Sequence, residues 1–270
     1  MINKRLNSYT ISYEKFKKQT QDTFEFSVLV CNAVPTLKRN IRLYEKGVVS
    51  ELVKPDHYGA ARELTDDEKL RTKEQLKQIS FGYRSKLSKY ILLSNFSFFE
   101  SYVIDVLKEM IVFHGGNEAF LNNSKLWAER QFSSDSPEIE KIRRRVRRKN
   151  EPKHISQAKY AAKLLAEKNY RFPSALFSGY GAKMLLQKIA NISANDIPNM
   201  LKDGLHMAFG EQQVLEFHNI REFRNKIAHG ESVNLTIEQV TDMCKTLRTI
   251  ALNLDQHLLR YYFISETFFD

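Results

Sequence analysis

The sequence predicts an all-α protein, and three observations carry that expectation. Gly (10) and Pro (6) are scarce in 270 residues, which argues against a sandwich or barrel built on many tight turns. Good helix formers such as Leu, Lys, Glu, Ala and Gln are plentiful. Apolar residues recur at three- and four-residue steps in the longest apolar segment, the period of a helix with one buried face. The hydrophobic share of 42% and charged share of 27% are those of a globular chain able to bury a real core.

The elements follow in order. Residues 21–44 are apolar enough to be buried, and Pro35 is expected to end one helix there and let another begin. Gly47, Pro55 and Gly59 mark residues 47–64 as a loop or lid-like insertion. Thr65-Asp66-Asp67-Glu68 reads as a capping box, with Glu68 reaching back to the Thr65 amide, and a polar helix follows to about Ser80. Residues 85–113 form the strongest apolar helix. Ile91, Leu92, Phe96, Phe99, Tyr102, Val103, Val106 and Met110 lie along its buried face, and Gly115-Gly116 stops it. Residues 131–153 read as a basic loop or insertion. From Lys141 to Lys163 there are ten Lys or Arg and one Glu, which is nine of the ten net positive charges. Helices are expected at about 155–168, 180–190 and 197–209. Residues 211–229 form a helix ended by Gly230. Thr236-Ile237-Glu238-Gln239 is a second capping box and opens a helix to about Tyr262. No repeat and no linker divides the chain, so 1–270 is expected to be one helical domain, with 85–113 and 211–262 as its core helices.

A net charge of +10 and a pI near 9.4 bear on partners rather than on fold. Nucleic acid is the expected partner. No apolar run approaches the roughly 20 residues of a bilayer span, and the basic run has too little apolar face for a membrane-surface helix. Two isolated cysteines, Cys31 and Cys244, give neither a disulfide framework nor a zinc site. The opening MINKRLNSYTISYEKFKK has no apolar h-region. A cytoplasmic protein is expected.

The chemistry concentrates in Arg224-Asn225-Lys226-Ile227-Ala228-His229. On a helical projection with Arg221 as the origin, Asn225 falls at about 40° and His229 at about 80°, with Arg224 at about 60° on the other side. Two arginines, an amide and an imidazole thus share one broad face. Arg offers a permanently charged fork to phosphate oxygens. His takes or gives a proton near neutral pH. No carboxylate cluster lies nearby in sequence to hold a metal, and no cofactor motif is present, so neither is expected. The chemistry suggested is metal-free RNA cleavage by 2′-hydroxyl attack, with Arg stabilising the developing charge. Arg221 and the run Arg143, Arg144, Arg145, Arg147, Arg148 and Lys149 are the candidate contacts to the RNA backbone. The bland alternative is a helix end with Arg224 in a salt bridge and His229 as a cap. Glu100 could pair with Arg221 or Arg224, and His218 could extend the site. The other histidines show no metal-ligand spacing.

The hexapeptide resembles the Arg-Asn-x-x-x-His form of the Arg-(four to six residues)-His motif of the HEPN superfamily. The segment from Asn95 to Asp105 is similar to the early core helix of its RiboL-PSP-like branch. The resemblance is firm over about 211–260, weaker over 85–112, and does not extend to 1–80 or 131–190. It implies a HEPN-like helical bundle with additional helices and a basic insertion. It also implies a homodimer whose two motifs meet in a composite site, with Arg224 and His229 as the catalytic pair and Asn225 orienting them. Many members are endoribonucleases of toxin or phage-defence systems that work with an antitoxin or defence-system partner protein. Others bind RNA or nucleotide without cutting and act as adaptors or regulated subunits.

Overall fold

A computed structural model describes residues 9–50, 66–120, 192–205 and 207–263, together with Pro137 and Lys141. The basic run Arg143–Lys149, the expected helices at 155–168 and 180–190, and most of the 47–64 loop, with Thr65, lie outside the described residues. The described residues fold mainly into helices, with no strand among them. In chain order they are α1 (Ile11–Glu45), α2 (Asp66–Ser80), α3 (Tyr83–Phe113), α4 (Ile197–Asn199), α5 (Glu211–Ala228) and α6 (Ile237–Tyr261).

The core forms around α3, which packs against α1, α6 and α5. Its stripe is the one its periodicity dictates. Leu92, Phe96, Phe99, Tyr102, Val103, Val106 and Met110 are buried, and Ile91 is partly buried. Each large apolar side chain withdrawn from water contributes about 1.5–3 kcal/mol. By length and composition α3 could also cross a membrane, but these apolar side chains are covered by the neighbouring helices. Gly115 and Gly116 end it with positive φ of 83° and 94°, which glycine adopts without strain.

Three expectations are corrected. The chain does not break at Pro35. α1 runs continuously for 35 residues through it. The lost backbone donor and ring clash cost about 3 kcal/mol in a helix interior, and tertiary contacts on both sides offset this. Thr10, Tyr13 and Phe16 fix the start, and Ile41, 1% exposed, fixes the far end. Thr36 and Asn32 side chains also donate to backbone carbonyls near the proline, at 3.0 and 2.8 Å. Second, residues 21–44 are not uniformly buried. Phe24, Phe26 and Leu29 are 62%, 59% and 64% exposed, because only one side of α1 meets α3. Third, no helix spans 197–209. The three residues of α4 pass into a π turn, Met200–Gly204. The Leu205 carbonyl is then taken by Tyr262 Oη and His257 Nε2, each at 2.8 Å. Pinned to the end of α6, the chain leaves the helical path and is not helical from Met207 to Gly210.

Two carboxylates tie the start of α1 to the core. Glu109 of α3 accepts from the Ile11 and Ser12 amides at 3.0 and 2.9 Å. Asp255 of α6 accepts from Thr10 Oγ1 and the Thr10 amide. The free N–H groups and partial positive charge of a helix start favour both contacts. Asp255 is fully buried, and burial raises its pKa, opposed by the Thr10 hydrogen bonds.

At the other end of the chain, Thr236 and Gln239 exchange the two bonds of a capping box, at 3.2 and 3.0 Å. α6 starts where that box predicts.

Candidate functional site at the end of α5

The motif is placed by aromatic packing about two turns before it. Phe217 of α5 lies against Phe96 and Phe99 of α3, with ring centroids 5.8 and 5.9 Å apart. Phe217 and Arg224 are seven residues apart, which returns them to nearly the same side of the helix. Arg224 therefore also faces α3. Its guanidinium sits over the Phe96 ring, 5.4 Å from the centroid. It donates to Glu100 Oε2 at 3.0 Å and to Asn225 Oδ1 at 3.0 Å. Phe96 and Glu100 are one turn apart on α3, so a single patch supplies both the π face and the carboxylate. The side chains of Arg224 and Glu100 are 29% and 24% exposed. Burial raises the Glu100 pKa, and the Arg224 charge and hydrogen bond act against that rise.

His229 ends the helix. Its amide donates to the Asn225 carbonyl at 2.9 Å. The Gly230 amide donates to Ile227 O at 3.0 Å and the Glu231 amide to Lys226 O at 2.9 Å. With Gly230 at φ 77°, this is a Schellman closure. Val233 and Leu235 then sink into the core, which fixes the exit path. The His229 side chain is exposed, and no hydrogen bond to its ring occurs among the described residues. Because α5 stays helical through Ala228, Arg224 and His229 lie about 140° apart around its axis. Within one chain, Arg224 looks toward α3 and His229 toward solvent.

Arg221 donates to Asn195 Oδ1, in the segment just before α4. The sequence held no signal for Asn195, which stands 26 residues away in irregular chain. The pairing of Glu100 with Arg224, by contrast, was one of two pairings open in the sequence. His218 lies one turn before Arg221 and is partly buried. An open groove of about 590 Å³ lies between α5 and α6, lined among others by Glu216, Asn219, Phe223, Lys226, Asp242 and Met243. These α5 residues project on the opposite side of the helix from Arg221, so the groove lies away from the Arg221, Asn225 and His229 side, although Lys226 of the motif lines it. His114 and His257, whose Nε2 atoms bond the Tyr262 and Leu205 carbonyls, are held in the core. Burial lowers the pKa of both.

Long helices packed on a central apolar helix, with an Arg-Asn-x-x-x-His motif closing the penultimate one, define a HEPN-class protein. The sequence profile of the RiboL-PSP-HEPN family matches residues 61–260, and the chain belongs to that family. The match takes in 61–80 and 131–190, which the resemblance of individual motifs did not reach. α1 precedes it, although α1 is bound into the core. No curated protein and no solved structure matches the chain. Membership ties it to RNase-type or nucleotide-related functions.

Proposed function

We propose that this chain is a metal-independent endoribonuclease that cuts single-stranded or loop RNA as a symmetric dimer. The observation that carries this reading is the division of labour along α5. Arg224 is held in a fixed pose by Glu100, Asn225 and Phe96, while His229 stands exposed at a rigid helix end. One is preorganised to meet charge, and the other is free to move a proton.

The ribose 2′-oxygen attacks the adjacent phosphorus as its proton passes to one imidazole. The bond from phosphorus to the 5′-oxygen breaks, and that oxygen takes a proton from a second imidazole. The products are a 2′,3′-cyclic phosphate and a 5′-hydroxyl. The motif supplies a single imidazole, with His218 about three turns away along α5, and its Arg and His diverge by about 140°. A facing copy contributes His229 of the partner subunit. Single-stranded RNA adopts the in-line geometry that this attack needs, and a duplex resists it. The basic run Arg143–Lys149 would neutralise phosphates along the bound strand. A toxin or phage-defence role, with an antitoxin or other defence protein as partner, fits a nuclease of this family.

A second reading has its own observation. The Glu100 carboxylate already neutralises Arg224, as it would in a regulated subunit that binds RNA or nucleotide without cutting. Incubating the purified protein with total RNA and transfer RNA in EDTA, with end-group analysis, separates the two. The nuclease leaves 2′,3′-cyclic phosphate ends. The binder leaves intact RNA and an affinity that falls with salt.

A further inference from the structure

Among the described residues, the buried side-chain nitrogens without a hydrogen-bond partner are His218 Nδ1 and Arg221 Nε. A buried polar atom left unsatisfied is costly, and native proteins keep few of them. These two belong to side chains one turn apart on α5. Arg221 is nonetheless aimed, because Asn195 Oδ1 accepts from its Nη1. It also makes no ion pair among the described residues. The adjacent Glu222 is committed elsewhere, to Lys226 at 2.7 Å.

Projected down α5 from Arg221 as the origin, His218 falls at about 60°, Asn225 at about 40° and His229 at about 80°, all on one side. They form one stripe about 16 Å long at roughly 1.5 Å per residue, which is longer than one nucleotide. Burial and the charge of Arg221 lower the pKa of His218. Its ring is therefore neutral at neutral pH, with one nitrogen to donate and one to accept. The turn thus offers an unneutralised guanidinium beside a neutral imidazole. A phosphate oxygen supplies the acceptor that the guanidinium lacks, and a ribose hydroxyl can satisfy the imidazole as donor or acceptor.

We propose that His218, Arg221 and Asn195 form a flanking subsite that binds the phosphodiester and ribose hydroxyl of the nucleotide next to the cut. A single RNA strand then runs along α5 from His229 back toward His218. This rests on the RNA reading above and adds to it the course of the strand and the residues that grip it.

The test uses the full chain carrying His229→Ala, so that RNA is bound without being cut. Fluorescence anisotropy measures a labelled six-nucleotide single strand, and competition measures an unlabelled dinucleotide. Arg221→Gln is expected to weaken hexamer binding by about tenfold or more, the effect of losing one charge-assisted contact. The loss on the dinucleotide is expected to be several-fold smaller. The log–log salt slope should become shallower by about 0.7. His218→Gln should weaken the ribose hexamer more than its 2′-deoxy counterpart. Thermal melts check that the variants fold, and Arg221→Lys, which keeps the charge, should recover part of the affinity if the Gln variant does not. Equal losses on both lengths, or hexamer binding unchanged in both variants, overturns the subsite while leaving the RNA reading intact. If the parent binds neither strand, the RNA reading itself fails and the subsite falls with it.

Discussion

Arg224 of α5 and Glu100 of α3 are joined by a 3.0 Å ion pair across the interface of the two helices, with Phe96 beneath the guanidinium. The motif arginine is thus fixed by a helix that lies more than a hundred residues earlier in the chain. If that pair positions Arg224 for catalysis, Glu100→Ala should lower kcat by roughly tenfold or more with a smaller change in KM. The loss corresponds to about 1.4 kcal/mol or more of transition-state stabilisation. Glu100→Gln, which keeps an acceptor, should lose less. Steady-state cleavage of a short RNA reads both. A rise in kcat in Glu100→Ala would instead mark the pair as inhibitory.

Gly230 closes the helix at φ 77°, and a Cβ there would meet nothing within 4 Å. The cost of a side chain is therefore conformational rather than steric. Gly230→Ala should destabilise the fold by about 1 kcal/mol, and Gly230→Asn by less, since Asn tolerates the left-handed region. A β-branched Gly230→Val should cost more than either. Chemical denaturation gives the order. Cleavage should fall further than stability does, because the same turn holds His229.

Asp255 gives a pH prediction. Burial raises its folded pKa above its unfolded value, so the folded state holds the proton more tightly. The corresponding stability is fully present below the unfolded pKa of about 3.9. It is lost as pH rises through the folded value. Wild type should therefore gain stability relative to Asp255→Asn as pH falls from neutral toward about 4. Urea melts across that range check the sign. A difference that is flat or reversed contradicts the assignment.

The parts of the fold legible in the sequence were those whose signals are local. Gly230 and the Thr236–Gln239 box fixed the ends of α5 and α6, and the 3.6-residue stripe of α3 identified its buried face. The illegible parts depend on partners distant in sequence. Pro35 reads as a break, yet α1 passes through it because Ile41 and the Thr10–Asp255 contact anchor both sides. The helix expected over 197–209 reads well by composition, but Tyr262 and His257 claim the Leu205 carbonyl and pull the chain off course. At the candidate site, the helical projection gave the angles around α5, which is helical through Ala228, but not that Arg224 turns to α3 while His229 faces solvent. It could not choose between Arg221 and Arg224 as the partner of Glu100, nor point to Asn195, because both answers depend on how other segments dock.

The proposed function stands on one step, the proton that His229 moves in an RNA cut needing no metal. Single-turnover cleavage of a single-stranded RNA in EDTA, with wild type beside a folded His229→Ala variant, tests that step most directly. Unimpaired wild-type cleavage with 2′,3′-cyclic phosphate ends is expected, with no cleavage above background in His229→Ala. Full activity in the variant, or wild-type activity abolished by EDTA, would contradict it.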